Sequence, residues 1–328
     1  MIPLHFHLAL VEFLADHRNI YLTHFFHAAS FFGSATFYVF FTILLYVMWD
    51  KRLAVRLTVV VLLTMAFNDL LKLLIKNPRP FVADGTYEKK WAVPPAEAKA
   101  LALEYSTPSG HAMGSAAFYS YLFAFTRNRF LRVAVVVLVV LIGVSRPYLG
   151  VHYAEDVLLG WAIGLLFGLI ASRYTELLAS RWREVPHGLQ IAITVAVSAA
   201  LWLLAFAFNG WQIDSQVREM TIYCAWLTGV VIACPLELRI VNFDPRSGRL
   251  AAKLLRYILS IGTMMAIALV LNAAFAPLAS NTSIVGSALD YLRYTAASFA
   301  GMFFAPFIFC KLKLAAARPV SRSWPGMI

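Results

Sequence analysis

Long apolar runs alternate with short polar connections along most of the chain. A helix needs about 20 apolar residues to cross the hydrocarbon core of a bilayer, where every backbone polar group must be bonded within the protein. By this criterion the sequence predicts nine membrane-spanning helices. They cover residues 23–49, 53–76, 108–126, 131–147, 152–174, 188–208, 219–238, 251–275 and 288–312.

The amino-acid composition supports a membrane location. Of the 328 residues, 61% are hydrophobic and 14% are charged, whereas soluble domains are about 45–50% apolar and about 25% charged. A chain with this composition could not cover its surface with polar groups in water. The composition therefore excludes a soluble globular enzyme. We therefore predict an all-α fold, a polytopic bundle of membrane helices whose surroundings are the lipid bilayer.

The spacing of the spans predicts four parts along the chain. The apolar stretch at the N-terminus is too short to cross a bilayer and is expected to lie at the interface. The connection between the second and third spans is longer than loops usually are without a function, which favours a lid or a substrate rim. The four parts are an interfacial helix at 1–22, a core at 23–185 with an outer loop at 77–107, further spans at 186–312 and a cytoplasmic tail at 313–328.

The formal net charge of +11 bears on topology rather than on nucleic-acid binding. Basic residues occur singly or in small groups between the spans, and 18 of the 28 lysines and arginines belong to one set of alternate connections. Because basic residues concentrate on the cytoplasmic side, this set predicts an outside N-terminus and a cytoplasmic C-terminus. We expect a multi-pass protein, of a bacterial inner membrane, with no nucleic-acid partner.

The first of three polar segments on the predicted outer side is KLLIKNPRP, at the end of the second span. Lys72 and Arg79 would share a helix face, and the run from Asn77 to Pro80 is expected to break that helix. A lysine and an arginine together suit a phosphate group. Alternatively, both side chains only reach for the interface, as basic residues at span ends often do.

The second polar segment is STPSGH, which opens the third span. Thr107 is expected to cap the helix and Pro108 to take its first position, which leaves the N–H groups of Ser109 and Gly110 directed outward. Such a helix start binds anions, and His111 would lie beside the anion. The alternative is an ordinary capped helix whose histidine faces the lipid headgroups.

The third polar segment is SRPYLGVHYAED, between the fourth and fifth spans. His152 and Asp156 are four positions apart, so on a helix the carboxylate would accept the imidazole N–H and leave the other ring nitrogen free as a nucleophile. Arg146 adds a second guanidinium. The pair could also be a structural contact between two polar groups.

Taken together, the three segments resemble a known signature. The strings K-x6-RP from Lys72 to Pro80, PSGH at 108–111 and SR-x5-H-x3-D from Ser145 to Asp156 match that of the type-2 phosphatidic acid phosphatase superfamily in order and spacing. The resemblance covers about residues 34–175. Beyond it the sequence indicates only further spans.

The resemblance implies a metal-independent phosphoric monoester hydrolase without a cofactor, which acts on a phosphate or pyrophosphate monoester at the outer membrane face. His152 would attack phosphorus and become a phosphohistidine, with Asp156 orienting it. His111 would protonate the leaving oxygen and then activate water. The residues that would bind the phosphate group are Lys72, Arg79, Ser109, Gly110 and Arg146.

Several functions remain open within this resemblance. Nine spans, an outside N-terminus and the string TPSGHAMG are similar to the glucose-6-phosphatase and sphingoid-phosphate phosphatase branches, whereas an acid at Asp156 is typical of lipid phosphatases. A phosphorylated lipid is therefore favoured over a small phosphate ester. A phosphotransferase needs the same residues, a lipid scramblase or transporter would use the basic pocket only for binding, and a vanadate haloperoxidase is a remote option. No oligomeric state is predicted.

Glu104 lies just before the second segment. It could contact a substrate headgroup, but a charged side chain in a polar loop is more often solvated. The sequence therefore favours a solvent-facing position on the outer loop.

Overall fold

The computed structural model describes residues 6–318, which form helices and connections, with a lone antiparallel bridge between Phe243 and Ala317. This confirms the all-α fold. The helices are α1 (Ala9–Asp16), α2 (Ile20–Phe31), α3 (Ala35–Met48), α4 (Lys51–Ile75), α5 (Tyr87–Lys90), α6 (Pro95–Leu101), α7 (Gly110–Phe125), α8 (Arg129–Leu149), α9 (Ala154–Glu184), α10 (His187–Phe208), α11 (Ser215–Leu236), α12 (Leu250–Phe275), α13 (Ile284–Phe299) and α14 (Ala305–Lys311). Short π-helical turns at Glu237–Val241 and Ala300–Phe304 continue α11 and join α13 to α14.

Within the described residues, seven helices are long and apolar enough to cross a membrane, or eight if α2 and α3 form one broken span. The predicted single helix at 23–49 is wrong in this respect, because α2 and α3 meet at a bend of 51°. Gly33 and Ser34 lie in the break, and such pairs are a usual cause of kinks. The third predicted span, at 108–126, corresponds to α7, which has only 16 residues and is not among these helices.

The predicted terminal segments are described in part. Helix α1 and the start of α2 fall within the expected interfacial region at 1–22, and residues 313–318 begin the expected tail. Residues 1–5 and 319–328 of these two segments lie outside the described residues.

The chain forms two compact units. The first contains the residues up to Tyr38 together with Leu63–Arg173, and the second contains Val39–Leu62 together with the chain from Tyr174 onward. In the second unit, a buried cluster around Phe243 and Phe309 forms the core near a buried ion pair. All candidate site residues belong to the first unit.

Close approach of two helices in the first unit fixes the position of the PSGH segment. Glycines recur at every fourth residue of α9, and a side chain added at Gly160 would lie 2.9 Å from the carbonyl oxygen of Ser109. One added at Gly164 would lie 2.2 Å from the carbonyl oxygen of Met113. Small residues at this spacing let helix backbones pack closely, so α7 begins directly against α9.

The outer loop is anchored beside the turn that carries His152. Trp91 donates its indole N–H to the carbonyl of Pro80 at 3.0 Å, and the N–H of Ala92 donates to the carbonyl of Leu149 at 2.9 Å. Val11 of α1 is buried in the same apolar cluster as Trp91 and Leu149. This packing holds the loop and α1 over the end of α8.

Candidate active site

Helix α4 ends at Ile75, and the chain leaves it through Lys76, whose φ is +56°. The expected break before Pro80 is confirmed. Lys72 lies in the last helical turn, but Arg79 lies beyond the helix, so the two do not share a helix face as the sequence predicts. Both instead contact Glu104, whose Oε2 accepts from Lys72 Nζ at 3.5 Å and from Arg79 Nη2 at 2.8 Å.

The PSGH segment starts its helix two residues later than the sequence predicts. Ser109 is the N-cap of α7 and Gly110 its first residue. The expected capping role of Thr107 is wrong, because its hydroxyl donates to Asp156 Oδ1 at 2.5 Å. The backbone N–H of Ser109 donates to the main-chain oxygen of Asp156 at 3.1 Å, while its hydroxyl is buried without a hydrogen-bond partner.

His152 lies in the turn between α8 and α9, rather than on the helix that carries Asp156. Helix α8 ends at Leu149, and the left-handed conformation of its C-cap, Gly150 (φ +86°), turns the chain toward α9. Asp156 lies in the first turn of α9. The predicted pair still forms, with His152 Nδ1 3.3 Å from Asp156 Oδ2 and both side chains buried.

Asp156 is held by several donors. The backbone N–H of Tyr153 donates to Oδ2 at 2.9 Å, and the hydroxyl of Ser106 donates to the same oxygen. The Ser106 oxygen also lies 3.2 Å from His152 Nδ1. These contacts orient the imidazole, with Nδ1 toward the carboxylate and Nε2 toward the cations.

Arg79 contacts the other ring nitrogen. Its Nη1 lies 2.9 Å from His152 Nε2 and 3.0 Å from the carbonyl oxygen of Val151. A guanidinium only donates, so Nε2 accepts and the ring proton is assigned to Nδ1. Burial lowers the pKa of His152 well below its usual range, and the charges of Arg79 and Arg146 lower it further. The ring is therefore neutral near pH 7.

Glu104 is the acidic partner of the cations. Burial alone would raise the pKa of its carboxyl, but the charges of Lys72 and Arg79, with their hydrogen bonds, hold it below its usual range. Glu104 is therefore ionised at neutral pH. The expectation that it faces solvent is wrong, since its side chain is only 14% exposed.

Arg146 and His111 complete the cluster. Arg146 lies buried in the last turn of α8 and donates through Nη1 to the hydroxyl of Ser30 at 2.5 Å. His111 lies in the first turn of α7, one residue after Gly110. The contacts thus connect Arg79 of the first segment and Ser109 of the second to His152 and Asp156 of the third.

Several donors in this cluster have no acceptor. The Nε atoms of Arg79 and Arg146 and the hydroxyl of Ser109 are buried without hydrogen-bond partners. Buried polar groups are nearly always bonded, so unsatisfied donors beside three cations are typical of an anion site. Among residues 6–318, no group of three or more histidine, cysteine, aspartate or glutamate side chains is arranged to hold a metal ion.

Sequence reasoning missed the residues that support Asp156. Ser106 and Thr107 directly precede the PSGH string, and Asn77 donates to Thr107 Oγ1 at 3.1 Å. The carbonyl of Asn77 also accepts from the N–H of Ser106 at 2.8 Å. A run of short polar residues at the start of an apolar span is the signal that could have identified them.

Parts of the chain are similar to known proteins. A family model described as the PAP2 superfamily matches residues 53–179, and one described as the PAP2 superfamily phosphatase, transmembrane extension, matches residues 221–318. Phosphatidylglycerophosphatase B of Bacillus subtilis (strain 168) is 30% identical over 118 residues, which are 33% of this chain and 51% of that protein. The chain thus spans about half the length of this curated relative.

Two solved structures are similar in part. The crystal structure of the first transmembrane PAP2 type phosphatidylglycerolphosphate phosphatase from Bacillus subtilis has a TM-score of 0.42 and 24% identity, over 51% of this chain and 83% of that one. Aquifex aeolicus LpxE has a TM-score of 0.42 and 22% identity, over 51% of this chain and 94% of that one.

Both family models describe the PAP2 superfamily. They match successive parts of this chain and together cover well over half of it. The first contains all three polar segments, and the second covers the later helices, for which the sequence alone predicted only further spans. The predicted resemblance is confirmed: this integral, multi-pass membrane protein belongs to the PAP2 superfamily.

Proposed function

We propose that this protein is a membrane phosphatase that hydrolyses a phosphate monoester of a lipid, at the outer face of the membrane, through a phosphohistidine intermediate. The observation that carries the proposal is the orientation of His152, with Nδ1 toward Asp156 and Nε2 toward Arg79. A neutral imidazole held in this way presents one lone pair, and the neighbouring cations suit a transferring phosphoryl group.

In the first step, Lys72, Arg79 and Arg146 bind the phosphate oxygens, and Arg79 moves from Nε2 to one of them. The Nε2 lone pair of His152 forms a bond to phosphorus as the bond from phosphorus to the leaving oxygen breaks. His111 gives its proton to that oxygen, which departs as an alcohol. Asp156 stabilises the positive charge that develops on the His152 ring.

In the second step, neutral His111 takes a proton from a water molecule as the water oxygen attacks phosphorus. The bond between phosphorus and His152 Nε2 breaks, and its electron pair returns to the ring. Inorganic phosphate leaves and His111 is protonated again. Ser109 and the Gly110 N–H support the charge on the phosphoryl oxygens, and no step requires a metal ion.

Four observations favour a lipid substrate at the outer face. The protein lies in the membrane, where a lipid phosphate would reach the site laterally, and the curated relative in Bacillus subtilis is a phosphatidylglycerophosphatase by name. The concentration of basic residues in the connections opposite to the site predicts that the site faces outward. The resemblance also associates an acid at Asp156 with lipid phosphatases.

The test is phosphate release by the purified full-length protein in detergent with EDTA. Lipid phosphates, polyprenyl pyrophosphates and sugar phosphates are compared side by side. We expect the largest rate with a lipid phosphate, and a loss of at least about 100-fold in His152→Ala and His111→Ala, because general acid–base and nucleophilic groups contribute factors of this size. His24→Ala, which changes an exposed histidine of α2, should keep the wild-type rate.

Equal rates in the wild type and both site variants would overturn the assigned roles. Free phosphate as the product supports a hydrolase, whereas a phosphorylated acceptor in place of free phosphate would identify a phosphotransferase. Lipid movement that survives His152→Ala, without phosphate release in the wild type, would identify a transporter. Cleavage of substrate confined to the outside of right-side-out vesicles tests the orientation.

A further inference from the structure

The carboxylate of Glu104 contacts two cations of the site, Lys72 and Arg79. One of its oxygens contacts both Lys72 Nζ and Arg79 Nη2, at 3.5 and 2.8 Å. The two basic side chains are 7% and 2% exposed. A single anionic oxygen shared by an ammonium and a guanidinium is the arrangement that a phosphate oxygen would adopt between the same groups.

The contact extends to the nucleophile. Arg79 uses Nη2 for Glu104 and Nη1 for His152 Nε2, so a continuous chain of hydrogen bonds joins the carboxylate to the ring. In this state the lone pair of Nε2 accepts a hydrogen bond from Arg79. Attack on phosphorus requires that lone pair, so Arg79 must change partners before the reaction.

Glu104 is placed so that it can leave. It lies in the non-helical connection between α6 and α7, and its neighbour Leu103 is 76% exposed. The contacts of Glu104 with Lys72 and Arg79 come from its side chain, so a change of its rotamer would vacate the cation pair.

We infer that Glu104 is an internal competitor for the phosphate site, which a phosphate monoester displaces and a phosphodiester does not. This inference rests on the proposed function, since it concerns the anion that the same cations bind. A monoester carries a charge between −1.5 and −2 near pH 7 and three terminal oxygens, as a phosphorylated side chain does. A diester carries one charge and two terminal oxygens, and so gains little over the carboxylate that it would replace.

Selectivity for phosphate monoesters over phosphodiesters matters to an enzyme in a bilayer. Most of the phosphate groups around a membrane enzyme belong to phosphodiester headgroups, which are present in large excess over any monoester. A carboxylate that already occupies Lys72 and Arg79 keeps these headgroups out of the site. Glu104 is thus assigned as a specificity-determining residue rather than a catalytic one.

The test compares anion binding by full-length wild type, Glu104→Gln and Glu88→Gln in detergent. Glu88 is exposed on α5 of the same outer loop, so its variant controls for the loss of one negative charge nearby. Calorimetry with inorganic phosphate measures binding without turnover. We expect Glu104→Gln to bind phosphate about tenfold more tightly, as one competing charge-assisted contact is lost, and Glu88→Gln to match the wild type.

The selectivity arm uses phosphatidylglycerol in mixed micelles as an inhibitor of phosphate binding. It should inhibit Glu104→Gln strongly and the wild type weakly. Glu104→Asp, which keeps the charge but is one methylene shorter, should lie between them. Unchanged or weaker phosphate binding in Glu104→Gln would overturn the inference, because the carboxylate would then serve only to orient Arg79.

The binding readout separates this inference from the proposed function. If the wild type hydrolyses lipid phosphates but Glu104→Gln binds phosphate no more tightly, the inference alone fails. If no substrate is hydrolysed but Glu104→Gln binds phosphate more tightly, the proposed function fails and the competition by Glu104 stands. Thermal unfolding of each variant identifies any that is misfolded. If Glu104→Gln is misfolded, phosphate binding by Glu104→Asp is compared with that of the wild type instead.

Discussion

The hydroxyl oxygen of Ser106 lies 3.2 Å from Nδ1 of His152, and the same hydroxyl donates to the carboxylate of Asp156. Nδ1 is 3.3 Å from that carboxylate, which is long for a charge-assisted hydrogen bond. The imidazole proton therefore has two acceptors. Ser106 connects His152 to Asp156 and limits the rotation of the ring.

Replacement of this serine should slow the reaction without weakening substrate binding. In Ser106→Ala the ring nitrogen Nδ1 keeps only its longer contact with Asp156. We therefore expect kcat to fall about tenfold, the effect of roughly one lost hydrogen bond to a charged group, with KM within about twofold. Steady-state kinetics with a lipid phosphate measure both. Ser115→Ala removes a buried hydroxyl bonded to a carbonyl of its own helix and should change neither constant.

Replacement of a positioning residue is expected to change kcat more than KM. If Ser106→Ala raised KM and left kcat unchanged, the hydroxyl would be acting on the bound substrate instead. Full activity in this variant would show that Asp156 alone orients the ring.

The protonation of His152 provides a second prediction. Burial and the charges of Arg79 and Arg146 lower its pKa well below the usual value. The ring is then neutral above that lowered pKa and loses its nucleophilic lone pair only as the pH falls through it. Histidine-selective isotope labelling with NMR detection should show a titration midpoint for His152 below about 6.5, the ordinary histidine value.

The resonance is identified by its absence in His152→Asn. Removal of one cation in Arg146→Gln should move the midpoint upward, because a neighbouring positive charge disfavours the protonated ring. A midpoint at or above the ordinary value in the wild type would contradict the assignment of a neutral nucleophile.

The sequence predicts the cations and the proposed nucleophile because each belongs to a short local pattern. The prolines after Asn77 end α4 as expected, and the spacing from His152 to Asp156 allows their contact although only Asp156 is helical. Local patterns do not report the partner of Glu104, since Arg79 and Lys72 are 25 and 32 positions away. Only the packing of the outer loop brings these groups together.

Two features of the backbone differ from the sequence prediction. The bend between α2 and α3 lies within one continuous apolar run, so hydropathy alone predicts a straight helix there. The start of α7 is displaced because Asp156 engages the hydroxyl of Thr107, which is then not available as a cap. The bend has a local cause in Gly33 and Ser34, whereas the later start of α7 comes from a tertiary contact that overrides local preference.

Gly150 gives a third prediction, which concerns the backbone beside His152, the proposed nucleophile. Its φ is +86°, and an added Cβ would lie 2.8 Å from Arg18 Nη2 and 3.1 Å from the carbonyl oxygen of Lys90. Gly150→Ala should therefore displace the turn that carries His152 and lower kcat by at least about tenfold, since small misplacements of reacting groups are costly. Kinetics and thermal unfolding of the purified variant measure the effect.

Gly85→Ala is the matched control. Gly85 also has a positive φ, of +71°, but an added Cβ would meet no atom within 4 Å. It should cost only the backbone strain of about 1–2 kcal/mol in stability and leave kcat unchanged. Similar losses of activity in both variants would show that strain alone, and not contact with Arg18 and Lys90, is responsible.

The buried ion pair of the second unit gives a fourth prediction. Lys51 Nζ lies 3.0 and 2.9 Å from the two carboxylate oxygens of Glu237, which also accepts the N–H of Phe243 at 3.0 Å. Glu237→Gln leaves a buried ammonium without a counter-charge, which costs about 3–5 kcal/mol. We expect a lower thermal unfolding midpoint in Glu237→Gln. The double variant Lys51→Met with Glu237→Gln removes the unpaired charge and should recover much of the loss. If Glu237→Gln unfolded at the wild-type temperature, the Lys51 amine would have to be neutral or solvated, and the ion pair would not stabilise this unit.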